Sequence, residues 1–148
     1  MSAAVVVDLS GRALVVRKHG TLLFQQPGGK PDPGESALDA VVREVAEETG
    51  IRADPADFEP LGRFTDAAAH EPGHTVVADA FLLRVAMDAD GPTRREAPGN
   101  APAAPGVGVG AVAPAAEIAE LRWIAQGDVA TTPLAPLSRN HLIRFAWR

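Results

Sequence analysis

Three carboxylates, Glu44, Glu47 and Glu48, fall within a stretch of five residues. On an α-helix, with Glu44 at 0°, Glu47 lies near −60° and Glu48 near +40° (about 100° per residue). All three then project from one side. Ala37 and Ala40 share that side, so nothing bulky on the helix itself is expected to cover the acids. Like charges at this spacing repel by a few tenths of a kcal/mol even on an exposed helix. A hard divalent cation offsets that repulsion, and carboxylate oxygens are the ligands magnesium takes. A solvated acidic face is the plain alternative.

The element that must position these acids is legible. Leu38, Val41, Val42, Val45 and Thr49 recur at helical spacing over Ser36 to Thr49. Ser36 with Asp39 is a start signal, and Gly50 is a stop. Ahead of the helix stands the run Pro27-Gly28-Gly29-Lys30-Pro31-Asp32-Pro33-Gly34. Before that, Ala3 to Val7 and Ala13 to Val16 read as two short strands joined at Ser10-Gly11, and Leu22-Leu23-Phe24 as a short apolar piece. Phe58 to Thr65, Thr75 to Val85 and Ala119 to Ile124 read as later strands. The middle one is apolar on both faces, as an interior strand is. Leu137 to Trp147 has the pattern of an amphipathic C-terminal helix. Strands and helices in this order imply a mixed α/β domain with helices packed on a sheet.

The 148 residues fit a single domain, 1–148, with an ordinary share of apolar residues (46%). The absence of cysteine excludes disulfides, Cys-ligated zinc, iron–sulfur clusters and thiol nucleophiles. Fourteen basic against nineteen acidic residues leave a charge of −5, which argues against dedicated nucleic-acid binding. No apolar run reaches the roughly 18 residues of a membrane helix, and the N-terminus lacks the regions of a signal peptide. A soluble, cytoplasmic protein is the expectation. The 14 Gly and 13 Pro are concentrated in two places, the Pro27–Gly34 run and a Pro/Gly/Ala-rich stretch over about 91–115. The second has no periodicity and almost no large side chains, and is expected to be a flexible insert, a functional lid being the other reading.

The spacing around the acids is more specific than the acids alone. Gly29, five residues, Glu35, seven residues, Arg43-Glu44-Val45, one residue, Glu47-Glu48, one residue, Gly50-Ile51 meets every fixed position of the Nudix box, G-x5-E-x7-R-E-U-x-E-E-x-G-U with U apolar. On that motif the chain resembles the Nudix hydrolase family (MutT-like). Pro27-Gly28-Gly29-Lys30 is similar to the family's loop before the helix, and the flanking strands and Glu117…Trp123 resemble the rest of the domain. The resemblance implies the Nudix fold, a mixed β-sheet sandwiched between helices (α/β/α). It implies a pyrophosphohydrolase that cleaves the diphosphate linkage of a nucleoside diphosphate derivative or a nucleoside triphosphate, using Mg²⁺ with Mn²⁺ as a substitute.

Carried onto this chain, the resemblance makes Glu44 and Glu48 the main metal ligands, and Glu47 a further ligand or the holder of a water. A backbone carbonyl at Gly28 or Gly29 would complete the set. Arg43 would orient carboxylates within the catalytic group, and Glu35 would tie the loop to the helix start. Glu117 matches the position of a further acid that some members carry, with Glu120 as its competitor. Glu117, Glu47 and Glu44 all stay open as the general base. Arg17, Lys18, Gly28 and Lys30 are candidate substrate contacts, a solvated strand end being the alternative for the first two. His70-Glu71-Pro72-Gly73-His74 reads as a turn, contact of Glu71 or the histidines with substrate or metal being the alternative, and Phe64 and Trp123 read as core rather than as base-stacking platforms. The partner expected is a nucleotide or nucleoside diphosphate-linked small molecule. The oligomeric state is left open, a homodimer included. From a different functional class comes a Nudix-fold sensor of nucleotides or ADP-ribose that turns nothing over. Such modules usually lose acids of the box, and here all are present.

Overall fold

A computed structural model describes residues 1–69, 71–86 and 117–147. The stretch over 91–115, read above as an insert or lid, lies outside the described residues, as does His70. The organising strand is β1 (Ser2–Val7), six small or β-branched residues that are all buried. It pairs in parallel with β5 (Thr75–Arg84) from Ser2↔Asp79 to Val7↔Arg84. It pairs antiparallel with β2 (Ala13–Lys18) and with the two-residue strand β3 (Gly28–Gly29). With β4 (Phe58–Ala67) and β6 (Ile118–Ile124) the sheet runs β4-β5-β1-β2-β6, β3 lying off this path against β1. A strand paired on both edges and covered on both faces needs apolar residues throughout, which is why β1 shows no alternation of polarity.

One face of the sheet packs against α1 (Ala37–Thr49). Val41 and Val45 meet Ala4, Val6, Leu14, Phe58, Phe81 and Leu83 there. The helix starts where the Ser36 hydroxyl accepts a hydrogen bond from the Asp39 N–H, and ends at Gly50, whose φ of 80° is left-handed and whose N–H reaches the Ala46 carbonyl. The opposite face, formed by Ala3, Val5, Val7, Val15, Ala78, Ala80 and Leu82, packs under Leu137, Leu142, Ile143 and Ala146. The mixed sheet is thus sandwiched as expected.

The C-terminal cover is helical without being an α-helix. A wide π-type turn, Ser138–Leu142, runs into a 3₁₀ segment, Ile143–Trp147. The wide turn is held from outside. Arg139 donates to the carbonyls of Val129 and Thr132, while Asn140 and His141 both reach Asp66 on β4. These ties to residues outside the segment select a geometry that apolar periodicity does not encode.

Candidate functional site

The acids of α1 do not share one open face. Strand β3 crosses over the helix, and its two glycines bring bare backbone onto the carboxylates. A Cβ on Gly28 would collide with the Ser2 carbonyl, and one on Gly29 would stand 2.7 Å from the Glu44 carboxyl carbon. Glu48, beneath this strand, is only 2% exposed. Its Oε1 accepts a hydrogen bond from the Gly28 N–H at 3.1 Å, and its Oε2 is buried with no partner. Burial disfavours the charged form and pushes the Glu48 carboxyl up to about 8. The Gly28 N–H opposes that shift, and the nearby Glu44 adds to it. The expectation of acids left uncovered is therefore corrected for two of the three: the helix leaves them open, and a strand paired to β1 closes over Glu48 and against Glu44.

Arg43 ties this corner together. Its Nε and Nη2 grip the two oxygens of Glu35 at 2.9 and 2.8 Å, its Nη1 donates to Glu44 Oε1 at 2.7 Å, and its Nη2 also reaches the Lys30 carbonyl. Glu35 in turn accepts from the Asp32 N–H. The two-pronged contact with Arg43, then the Asp32 N–H, hold the Glu35 carboxyl down at about 2. Glu35 and Glu44 raise the Arg43 guanidinium above its ordinary value. One guanidinium thus joins the loop before the helix to the helix-borne acids.

Beside this corner lies a cavity of about 870 Å³. Lys18, Gly29, Lys30, Glu44 and Glu117 line its polar end. Lys18 Nζ and Glu117 Oε1 pair at 3.0 Å on its wall. Glu71 and His74, from the turn between β4 and β5, line it as well. Of the two candidate acids before Trp123, Glu117 is at the cavity. Glu120 is held by Arg122 and Arg17.

Two expected site residues stand elsewhere. Arg17 donates to the Thr21 carbonyl, reaches Glu120 at 3.4 Å and lies 6.0 Å from the centre of the Phe24 ring. The register shifts between Arg17 and Lys18 where β2 pairs with β6, and of these two neighbours only Lys18 lines the cavity. Glu47 is half-exposed, 3.4 Å from Arg43, and borders a separate shallow hollow with Val42 and Arg52. Among the described residues, no three Asp, Glu or His side chains converge into a ready-made metal cluster. The donors at the corner still fit a hard cation. Glu44, Glu48 and the carbonyls of Gly28 and Gly29 offer only oxygen, and the Glu48 oxygen without a partner is the group a cation would satisfy.

Sequence reasoning missed Gln26. It is 3% exposed, lines the cavity, and neither atom of its amide has a hydrogen-bond partner. The signal available was a polar pair, Gln25-Gln26, directly before Pro27-Gly28-Gly29.

Comparison with known proteins agrees with this architecture. The NUDIX domain model matches residues 1–145, and the chain belongs to that family. A Bacillus subtilis protein provisionally named an 8-oxo-dGTP diphosphatase is 47% identical over 49 residues, 33% of each chain. The phosphatase NudJ of Escherichia coli is 40% identical over 60 residues, 39% of each chain. The matched stretches thus span a third to two fifths of these relatives. Among solved structures, the NUDIX domain of Shewanella oneidensis NrtR, complexed with ADP ribose, superimposes with a TM-score of 0.67 at 18% identity, covering 95% of this chain and 81% of the other. Among the described residues, no helix is long and apolar enough to cross a membrane.

Proposed function

We propose that this protein is a divalent-metal-dependent pyrophosphohydrolase that cuts the diphosphate linkage of a nucleoside diphosphate derivative or a nucleoside triphosphate. The observation that carries the reading is the Glu48 carboxyl group, buried beneath Gly28 with one oxygen unpartnered, one helical turn from Glu44, which with Gly29 lines a cavity large enough for such a molecule. The names of the curated relatives, a diphosphatase and a phosphatase, support it. So does the ADP ribose bound by the fold neighbour.

Glu44, Glu48 and a carbonyl of Gly28 or Gly29 would hold Mg²⁺, with Mn²⁺ as a substitute. When bound, the metal neutralises phosphate oxygens and orients the diphosphate. Arg43 holds Glu44 in place and joins the catalytic group through it. Lys18 and Lys30 bring positive charge to the phosphates, and Gly28 lets backbone approach them; Arg17, turned toward Thr21 and Glu120, is left out. Glu117 is the general base of choice, because Glu44 and Glu48 are committed to the metal and Glu47 lies outside the cavity. Glu117 takes a proton from a water whose oxygen bonds to phosphorus in line with the bridging oxygen. The P–O–P bond breaks, and the bridging oxygen leaves on the other phosphate. Glu47 would join the ligands only by swinging away from Arg43.

Hydrolysis in ¹⁸O-labelled water tests this. Label should appear on phosphorus, with a nucleoside monophosphate and a phosphorylated remainder as products, and a triphosphate should give the monophosphate and pyrophosphate. Excess chelator should stop the reaction. Undiminished turnover in chelator, or release of inorganic phosphate from a nucleoside monophosphate at a matching rate, would contradict the reading. A sensor would bind these compounds without turning them over.

A further inference from the structure

The polar end of the cavity is accounted for by Lys18, Lys30, Glu44 and Glu117, but Gln26 is not. A buried amide that makes no hydrogen bond carries the full cost of its desolvation, so an orphan donor and acceptor side by side call for a partner. Both amide atoms of Gln26 are in that state. The walls nearby point to the partner's shape. Ala135, Leu137 and Leu142, all buried and apolar, line the same cavity. Gly29 stands three positions after Gln26, a reach of at most about 10 Å along an extended chain. A ligand with phosphates at Gly29 and Lys30 therefore extends its organic group toward Gln26 and the apolar wall.

A planar group that is apolar on its faces, and that sets a donor beside an acceptor on its edge, matches both features. A nucleobase has that chemistry, and a glutamine amide is a natural bidentate partner for the amino group and ring nitrogen of adenine. A sugar or a further phosphate does not fit an apolar wall. Both amide atoms have essentially no exposed surface, so the side chain meets a base edge by rotating about its staggered χ angles from its buried position into the cavity that the residue lines.

We propose that Gln26 is a specificity-determining residue that reads the hydrogen-bonding edge of the substrate's nucleobase, with the Ala135–Leu142 wall as its seat. This rests on the nucleoside diphosphate reading of the cavity. It assigns the nucleoside, rather than the other group on the diphosphate, to the C-terminal side of the cavity.

Binding of product-like probes tests the assignment without turnover. AMP, purine riboside monophosphate (which lacks the amino group) and ribose 5-phosphate would be titrated calorimetrically into wild type, Gln26→Met and Gln26→Glu, with Mg²⁺ present. Wild type should bind AMP about tenfold or more tightly than purine riboside monophosphate, a good bidentate pair being lost between them. Ribose 5-phosphate should bind more weakly still. Gln26→Met keeps the length of the side chain and removes the orphan atoms. Its melting temperature should stay level or rise, its affinity for AMP should fall to that for purine riboside monophosphate, and its affinity for ribose 5-phosphate should not change. Gln26→Glu, which exchanges the donor for an acceptor, should also lose the preference for AMP.

Equal binding of AMP and ribose 5-phosphate by wild type would overturn the proposal. So would a uniform loss across all three probes in both variants, or a fall in the melting temperature of Gln26→Met with the AMP preference intact, since these mark a structural amide. Absence of hydrolysis with a Gln26-dependent preference for AMP would instead sink the hydrolase reading and leave this assignment standing.

Discussion

Glu47 and Glu48 are adjacent residues of one helix with opposite surroundings. Glu48 sits under a strand of two glycines, bonded to a backbone N–H and otherwise unpartnered. Glu47 faces outward, loosely paired with Arg43 beside a shallow hollow. The helix contributes the same backbone to both. What separates them is β3, which covers one side of α1 and not the other. The comparison teaches that the acidic residues of the motif divide into an inner pair, Glu48 buried and Glu44 at the cavity wall, and an outer acid. It also shows that the glycines ahead of the helix decide which is which.

The largest effect expected is that of Glu48→Gln. The neutral amide resembles the protonated form that burial favours, so the metal-free fold should be unharmed. Activity should fall at least about 100-fold, the upper end of what loss of a partner outside the ligand set costs. The rise in melting temperature on adding Mg²⁺ should vanish. Glu48 also gives the metal-free protein a pH signature. Its carboxyl sits at about 8 against an ordinary 4.5, so its contribution to stability is full below 4.5 and lost as pH rises toward 8. In chelator, melting temperatures across that window should fall for wild type and stay flatter for Glu48→Gln.

Next come the residues that place Glu44. Gly29→Ala forces a Cβ against its carboxyl group, and Arg43→Lys replaces a fork that holds Glu35 and Glu44 together with a single point charge. Each should cost about 10- to 100-fold in kcat/KM, the range for partners that orient a ligand. Far-ultraviolet circular dichroism should show the helix intact in both. Glu47→Gln should cost a small fraction of the Glu48→Gln effect. Equal losses in the two variants, measured with the same substrate and saturating Mg²⁺, would erase the distinction between the inner and outer acids.

The smallest effect concerns the tie between the loop and the helix. Glu35 is held at about 2 against an ordinary 4.5. Its contribution to stability is therefore present above 4.5 and lost as pH falls toward 2. A Glu35→Gln variant should melt below wild type at neutral pH, and the gap should close on acidification through that window. A gap that does not change with pH would show that the Arg43–Glu35 pair does not stabilise the loop.

How much of this could be read from the residues alone follows a physical line. The limits of α1 were legible because Ser36 and Gly50 act through bonds to residues three or four away. That Arg43 orients carboxylates and that Glu35 ties the loop to the helix start came from the resemblance to the family; that one guanidinium does both, gripping Glu35 and Glu44 together, came from the structure. The burial of Glu48 was not legible, because a helical wheel gives angles and says nothing of a strand that arrives by pairing with β1. Arg17 and Lys18 were offered together, but successive side chains of a strand point to opposite faces, and of the two only Lys18 lines the cavity. The C-terminal cover keeps the helical pattern expected of it but not α-helical geometry, because Arg139 binds the Val129 and Thr132 carbonyls and Asn140 and His141 reach Asp66 on a distant strand. Gln26 went unnoticed for the same reason: its burial comes from elements distant in the chain.

In the proposed mechanism Glu44 and Glu48, beneath the Gly28–Gly29 strand, hold the divalent cation. Titration of Mn²⁺ into isotope-labelled protein, read as paramagnetic broadening of amide signals, locates the ion directly. Broadening centred on Gly28, Gly29, Glu44 and Glu48 in wild type, and abolished in Glu48→Gln, is the predicted result. Broadening centred on Glu47 and Arg52, or a pattern unchanged by Glu48→Gln, would contradict it.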